Sequence, residues 1–391
     1  ICVLCSEKIF GQGLARAANS GEAGILPKSW GKIIKFFSLG REGPGYNDRG
    51  KKWSEGKWVE WVMEFKRREF LKYCGVAAGA TLIGMKGGLV MAKETSRVTL
   101  LETEDRKLGV KAILKAFKRN YWKGNKILIK PNFNTADPTP GSTHNDTLVA
   151  LLEELWKGGA KSIRVGDRSF PPTREVMEEK GIIPLLKKMD VEVINFDDLG
   201  EKDWVEFKPK GSHWPNGFRI ARPVLESEYL VSTGCLKTHQ YGGIFTLSLK
   251  LHVGVAPTGR QGFDYMRQLH SSPHQRKMIA EINEPFHPDL VIMDGIEAFT
   301  DGGPATGKRA RGNVIWASSD RVAVDAVGVA LLKDLGSNES IMGRKIFEQE
   351  QIARAVELGL GASSPSEITV VPADQKSQEY CHRVSKILDQ G

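Results

Sequence analysis

Residues 243–255 read GIFTLSLKLHVGV, and in them Phe245, Leu247, Leu249, Leu251 and Val253 alternate with Thr246, Ser248, Lys250 and His252. As a strand, this period of two puts two hydroxyls, an ammonium and an imidazole on one face. As a short helix, it pairs Thr246 with Lys250 and Ser248 with His252. Either geometry gathers donors and no carboxylate, a set suited to an anion. Further polar groups fall where predicted strands end: Lys130, Asn132 and Asn134 after KILI, Asp167 closing SIRVGD, and Lys237, Thr238 and His239 after YLVSTGC. Thr143 and His144 stand at a helix start. Three lysines at strand-end loops exceed what capping requires.

Asp325 lies in SSDRVAVDAVGVALL, a helix apolar on nearly every side, with Ser319 or Asp320 as its cap. A buried carboxylate without a partner costs several kcal/mol, so Asp325 requires a cation, a metal or hydrogen-bond donors. Both a structural link to a loop backbone and a role in a site meet that requirement. Cys235 and His239 have the types of a nucleophile pair, but nothing local marks the thiol as activated. His270 and His274 have metal-ligand spacing, and Pro273 between them breaks the helix that would align them.

DGIEAFTDGGPATGKRA, residues 294–310, has the glycine and lysine spacing of a phosphate loop. Arg309 occupies the position of the magnesium-binding hydroxyl, and RARGNVIWASS after Lys308 reads as a strand where a helix is needed. The segment therefore reads as a glycine-shaped loop between strands that brings backbone close to something else.

The elements that must position these groups alternate in type. RVTLLE, KILIK, SIRVGD, VEVINF, YLVST, LVIMDG, NVIWAS and EITVV are short apolar runs, separated mainly by helical segments such as 105–119 and 145–157. This order predicts a three-layer α/β fold, a mainly parallel sheet with helices on both faces. Ligands in such sheets gather beyond the carboxyl ends of the strands. Residues 208–216 read as an insertion.

The 391 residues carry 56 Lys and Arg against 47 Asp and Glu. Residues 1–62 hold ten basic and six acidic side chains and residues 63–92 five and two, which leaves the remaining body at 41 and 39. A body so nearly neutral argues against nucleic acid as a partner. Only Cys235 and Cys381 of the five cysteines lie beyond Ala92, so a disulfide framework and an intrinsic iron-sulfur motif are both excluded there. MEFKRREFLKYCGVAAGATLIGMKGGLVMA, residues 63–92, has a basic opening, a weakly apolar run and small residues flanking Met91. It resembles a twin-arginine signal, with Arg67 and Arg68 as the pair and Lys66 in place of the usual Ser or Thr. It predicts a periplasmic or extracytoplasmic protein that meets the twin-arginine export machinery and keeps no stable transmembrane anchor after cleavage. Met63 is the first methionine, and residues 1–62 read as an upstream, non-native extension. Residues 93–391 then read as one large α/β domain.

Four ordered blocks, ILIKPNFN, THNDTLVALLEELWKGGAKSIRVGDRS, CLKTHQYGGIFTLSLKLHVGVAP and VIMDGIEAFTDGGPATGKRARGNVIWASSDRVAVDAVG, resemble the domain of unknown function 362 family over residues 97–335. The resemblance implies that Lys130, Asn132, His144, Asp167, Lys237, His239, Lys250, Gly254, Asp294, Gly303, Pro304, Gly307, Asp320 and Asp325 stand at motif positions. Leu251 departs from the pattern, where an Asn often follows the lysine. Some relatives add ferredoxin-type domains, so a redox role here would need an outside iron-sulfur partner.

The sequence thus predicts an enzyme acting on an anionic small molecule. Lys130, Asn132, Lys237, Lys250, Gly303 and Gly307 would bind the carboxylate or phosphate. Asp167, Asp294 or Asp325 would serve as base or ligand to a metal of unknown identity, and His144, His239 or His252 as acid. The alternative is a noncatalytic ligand-binding or redox accessory protein.

Overall fold

Runs of β-branched and aliphatic residues bounded by Gly, Pro and Asp become twelve strands in a computed structural model that describes residues 95–117 and 122–391. The twin-arginine-type segment at 63–92 and the extension at 1–62 lie outside the described residues. The strands are β1 (Ser96–Glu102), β2 (Lys126–Lys130), β3 (Ser162–Asp167), β4 (Glu192–Asn195), β5 (Trp204–Phe207) and β6 (Phe218–Ala221). They continue with β7 (Tyr229–His239), β8 (Ile244–Thr246), β9 (Leu290–Gly302), β10 (Gly307–Arg311), β11 (Val314–Ser318) and β12 (Ile368–Pro372).

The main sheet runs β12-β1-β11-β9-β7-β2-β3-β4. Every neighbouring pair is parallel except the two that β11 makes with β1 and β9, so β11 alone opposes the other seven. Alternation along the strands separates two cores. Ile127, Ile129, Val231 and Ile292 pack with Val110, Leu148 and Leu151 of helices Arg106–Ala116 and Asn145–Lys157. Leu128, Leu230, Val291 and Trp316 face the other way, onto Val324, Val327 and Leu331 of helix Arg321–Asp334. The mainly parallel, three-layer α/β architecture expected from the sequence is the one present. Residues 92–391 form a unit of their own.

Several local expectations shift in instructive ways. The helix read over 105–119 spans Arg106–Ala116, because Asp105 adopts extended backbone and caps the helix by accepting from the Leu108 amide. The single strand read after Lys308 is two strands, β10 and β11. Between them Asn313 has φ 47°, a left-handed turn that a continuous strand does not allow. Residues 208–216 connect β5 to β6, a two-stranded sheet outside the main one. Among the described residues, no helix is long and apolar enough to cross a membrane.

β7 and β9 outrun the sheet, and this feature builds the site. Their pairing jumps from Cys235↔Asp294 to Leu236↔Ala298, a bulge that re-aims both strands past the carboxyl edge. β8 then pairs with β7 through Lys237↔Thr246, and β10 pairs with β9.

Candidate anion site at the carboxyl edge of the sheet

The segment at 243–255 uses both geometries its sequence allows. It begins as β8, turns into the short helix Ser248–Leu251 and ends in a tight 3-10 turn, His252–Val255. The helix starts there because Asp325 reaches across from helix Arg321–Asp334. Its Oδ1 accepts from the Ser248 amide at 2.7 Å and its Oδ2 from the Leu249 amide at 3.1 Å. Those are donors that a helix amino terminus leaves without intrahelical partners. Burial pushes Asp325 up to about 8, against the two amides, which favour the carboxylate. Asp325 therefore anchors the segment that carries Lys250, and its nearest charges are Arg321 and Asp320.

The three strand-end lysines have different surroundings. Lys130 closes β2, is 1% exposed, and lies 2.6 Å from Asp167 Oδ1 at the end of β3. It also donates to the Pro131 carbonyl. Asp167 accepts from the Phe133 and Arg168 amides at 2.7 and 2.6 Å. Burial lowers the Lys130 pKa and raises that of Asp167, and each charge opposes the other's shift. Gly254 fits over this pair only because it lacks a side chain: a Cβ there would stand 2.7 Å from Asp167 Oδ1 and 2.8 Å from Lys130 Nζ.

Lys237, on the β7 extension, is fully buried and donates to Asn132 Oδ1 at 3.2 Å and to the Gly141 and Pro304 carbonyls. Burial pulls it down to about 8. Pro304 arrives on the β9–β10 turn, which is the glycine-rich segment that resembled a phosphate loop. Gly303 has φ 75°, and a Cβ on it would fall 2.1 Å from the Thr238 carbonyl. Gly307 is equally tight against the Asp301 carbonyl. The turn thus brings its backbone against β7 and oxygen to Lys237, with both glycines serving close approach.

Lys250 differs from both. Its ammonium has no hydrogen-bond or ion-pair partner among the described residues. Burial, then Lys237 and Arg168, lower it to about 7. Donors and imidazoles surround it. A Cβ on Gly243 would lie 2.6 Å from Lys250 Cε and 3.0 Å from His239 Nδ1, so Lys250 and His239 both pack closely against this glycine. His239 is 6% exposed, and its Nδ1 is buried without a hydrogen-bond partner. The His270 ring stacks beside it at 6.3 Å between centroids, 12° from parallel. Burial, then Lys250 and Lys237, depress His239 far below the usual imidazole range, so its ring is neutral. Burial and Lys250 also lower His270.

The remaining sequence-derived candidates sit elsewhere. His252 lies in the core with both ring nitrogens occupied, Nε2 with Ser232 Oγ at 2.8 Å and Nδ1 with Asn283 Oδ1 at 2.7 Å. It follows Lys250 by two residues and points the other way, because the 3-10 turn rotates it inward. Asp294 accepts from Arg106 Nε and Thr147 Oγ1, both at 2.8 Å, and from the Ile296 amide. His144 caps helix Asn145–Lys157 through Nδ1, which accepts from the Asp146 amide. Burial, then Arg106, lower its pKa, and its charged neighbours include Asp294, so these two share a separate cluster around Arg106.

Cys235 is buried against the Ser142 carbonyl, and burial pushes its thiol up to about 12, the state of an inert thiol. His270 and His274 part company: His270 Nδ1 meets Gln275, and the His274 ring packs on His213. Among the described residues, no group of three or more His, Cys, Asp or Glu is arranged to hold a metal ion. Sequence reasoning missed Arg168, which is buried and donates to the Val253 and Ala256 carbonyls, and Gly243. Arg168 adjoins Asp167 in GDRS, which was its one visible signal.

A family model described as "Domain of unknown function (DUF362)" matches residues 127–330. The thylakoid-associated protein sll1697 of Synechocystis sp. is 24% identical over 259 residues, 63% of this chain and 75% of that protein. The lactate racemase apoprotein from Thermoanaerobacterium thermosaccharolyticum is 14% identical with a TM-score of 0.38, over 73% of this chain and 85% of that one. A protein of known structure from Thermotoga maritima has the same identity and TM-score over 59% of this chain and 57% of its own.

Proposed function

This chain belongs to the domain of unknown function family DUF362, and for it we propose an enzyme that acts on a small carboxylate- or phosphate-bearing molecule at the Lys250–His239–His270 cluster. One observation carries the reading: the Lys250 ammonium is held on a fixed helix without a partner, while Lys130 and Lys237 are fully engaged. An ammonium with no protein counter-charge is free to pair with a ligand that supplies one. With Lys237 and Arg168 as neighbouring positive charges, the ligand is an anion.

In this reading Lys250 is the proton-transfer residue, since a group that titrates near neutral pH both donates and accepts readily. His239 and His270 line the ligand as neutral imidazoles. Lys130, Asn132, Asp167, Lys237, Gly303 and Gly307 support the pocket and make no contact with the ligand. Titration calorimetry with inorganic phosphate and with acetate tests this. Binding takes up a proton above pH 7, because the anion favours the ammonium form of Lys250. Lys250→Met weakens it by about ten-fold or more. Unchanged affinity in Lys250→Met would remove this lysine from the site.

A further inference from the structure

Resting on the reading above and deepening it, we infer that Lys250 forms an imine with a small aldehyde or ketone that bears an anionic group, a 2-oxo acid being the simplest. The ammonium and amine forms of a lysine engaged by acceptors are unavailable for attack, and that is the condition of Lys130 and Lys237. Lys250 has neither a carboxylate to hold its proton nor a carbonyl to occupy it. Its base is fixed by the Asp325 cap on Ser248 and Leu249, and its Cε packs against Gly243 beside the unpartnered His239 Nδ1, where a Cβ would stand 2.6 and 3.0 Å from the two atoms. Desolvation beside other cations keeps a large fraction of this lysine as free amine near neutral pH, the state that attacks a carbonyl.

The chemistry balances without an added oxidant or reductant. The Nζ lone pair adds to the carbonyl carbon, the carbonyl π pair moves to oxygen, and an N–H proton passes to that oxygen to give a carbinolamine. The neutral ring of His239 stands beside the path of this proton. The C–O bond then breaks, hydroxide leaves as water with one proton from solvent, and the nitrogen lone pair closes the protonated C=N bond. The anionic group of the substrate is drawn by Lys237 and Arg168, the same field that disfavours the ammonium.

Borohydride trapping of the full chain with pyruvate, against acetone as the neutral control, tests the inference. Peptide mapping should find one reduced adduct, on the peptide carrying Lys250, about ten-fold above the mean of the other lysines and stronger with pyruvate than with acetone. Lys250→Arg, which keeps the charge and removes the nucleophile, should abolish it. Adducts spread evenly over the lysines, or as abundant on the urea-unfolded chain at Lys250, would overturn it. Phosphate calorimetry on the same preparation separates the two failures: phosphate bound without an adduct ends the imine alone, whereas loss of both ends the anion site too.

Discussion

Lys130 and Lys250 illustrate two uses of one residue type. Lys130 is a buried cation 2.6 Å from a buried anion whose remaining lone pairs accept backbone amides. Lys250 is a cation among cations and imidazoles, with nothing to neutralise it. The first arrangement ties the end of β2 to the end of β3 and leaves no valence for a ligand. The second leaves the ammonium without a counter-charge among the described residues. Strand-end lysines are therefore informative about function only when their partners are known, since a buried pair and a vacant donor look alike in sequence.

The comparison can be broken at its paired end first. Asp167→Asn leaves Lys130 buried without its counter-charge and should cost about 3–5 kcal/mol in urea denaturation. A loss below about 1 kcal/mol would make the pair ornamental and return Lys130 to the candidate ligands.

The unpaired end carries the opposite sign. The Lys250 pKa falls from 10.5 unfolded to about 7 folded. The unfolded chain therefore binds more protons between these values, and the stability present above pH 10.5 is lost as pH falls toward 7. Lys250→Met should be more stable than the parent by about 2 kcal/mol at pH 6, and the difference should vanish above pH 10.5. Thermal unfolding across that range reads it out. A variant less stable at pH 6 would mean that Lys250 has a partner after all.

A smaller effect sharpens the boundary between the two. Gly254→Ala pushes a methyl group against Lys130 Nζ and Asp167 Oδ1. It should cost about 1–2 kcal/mol in denaturation while leaving phosphate affinity within about two-fold. Phosphate affinity falling as far as stability would merge the two lysine environments into one site.

Much of this arrangement was legible beforehand. Alternating apolar runs indicated the strand and helix order, and their mixed type pointed to the mainly parallel sheet that is present. Asp325 showed itself because an acid in an all-apolar helix needs donors, and it found two amides. The segment at 243–255 was ambiguous because Lys250 and His252 are equally polar and two residues apart. A strand would have put them on one face, and only the Asp325 cap, 77 positions away in sequence from Ser248, decided for a helix.

Sequence by itself determined the inventory: which side chains are costly to bury, and which ends of which elements carry them. That information is local, set by periodicity and by the chemistry of each residue. Tertiary structure decided the pairings, giving Lys130 a carboxylate, Lys237 three oxygens and Lys250 none. The physical reason is that the pKa and the availability of a buried group depend on atoms within a few ångströms, and here those atoms come from segments far apart along the chain.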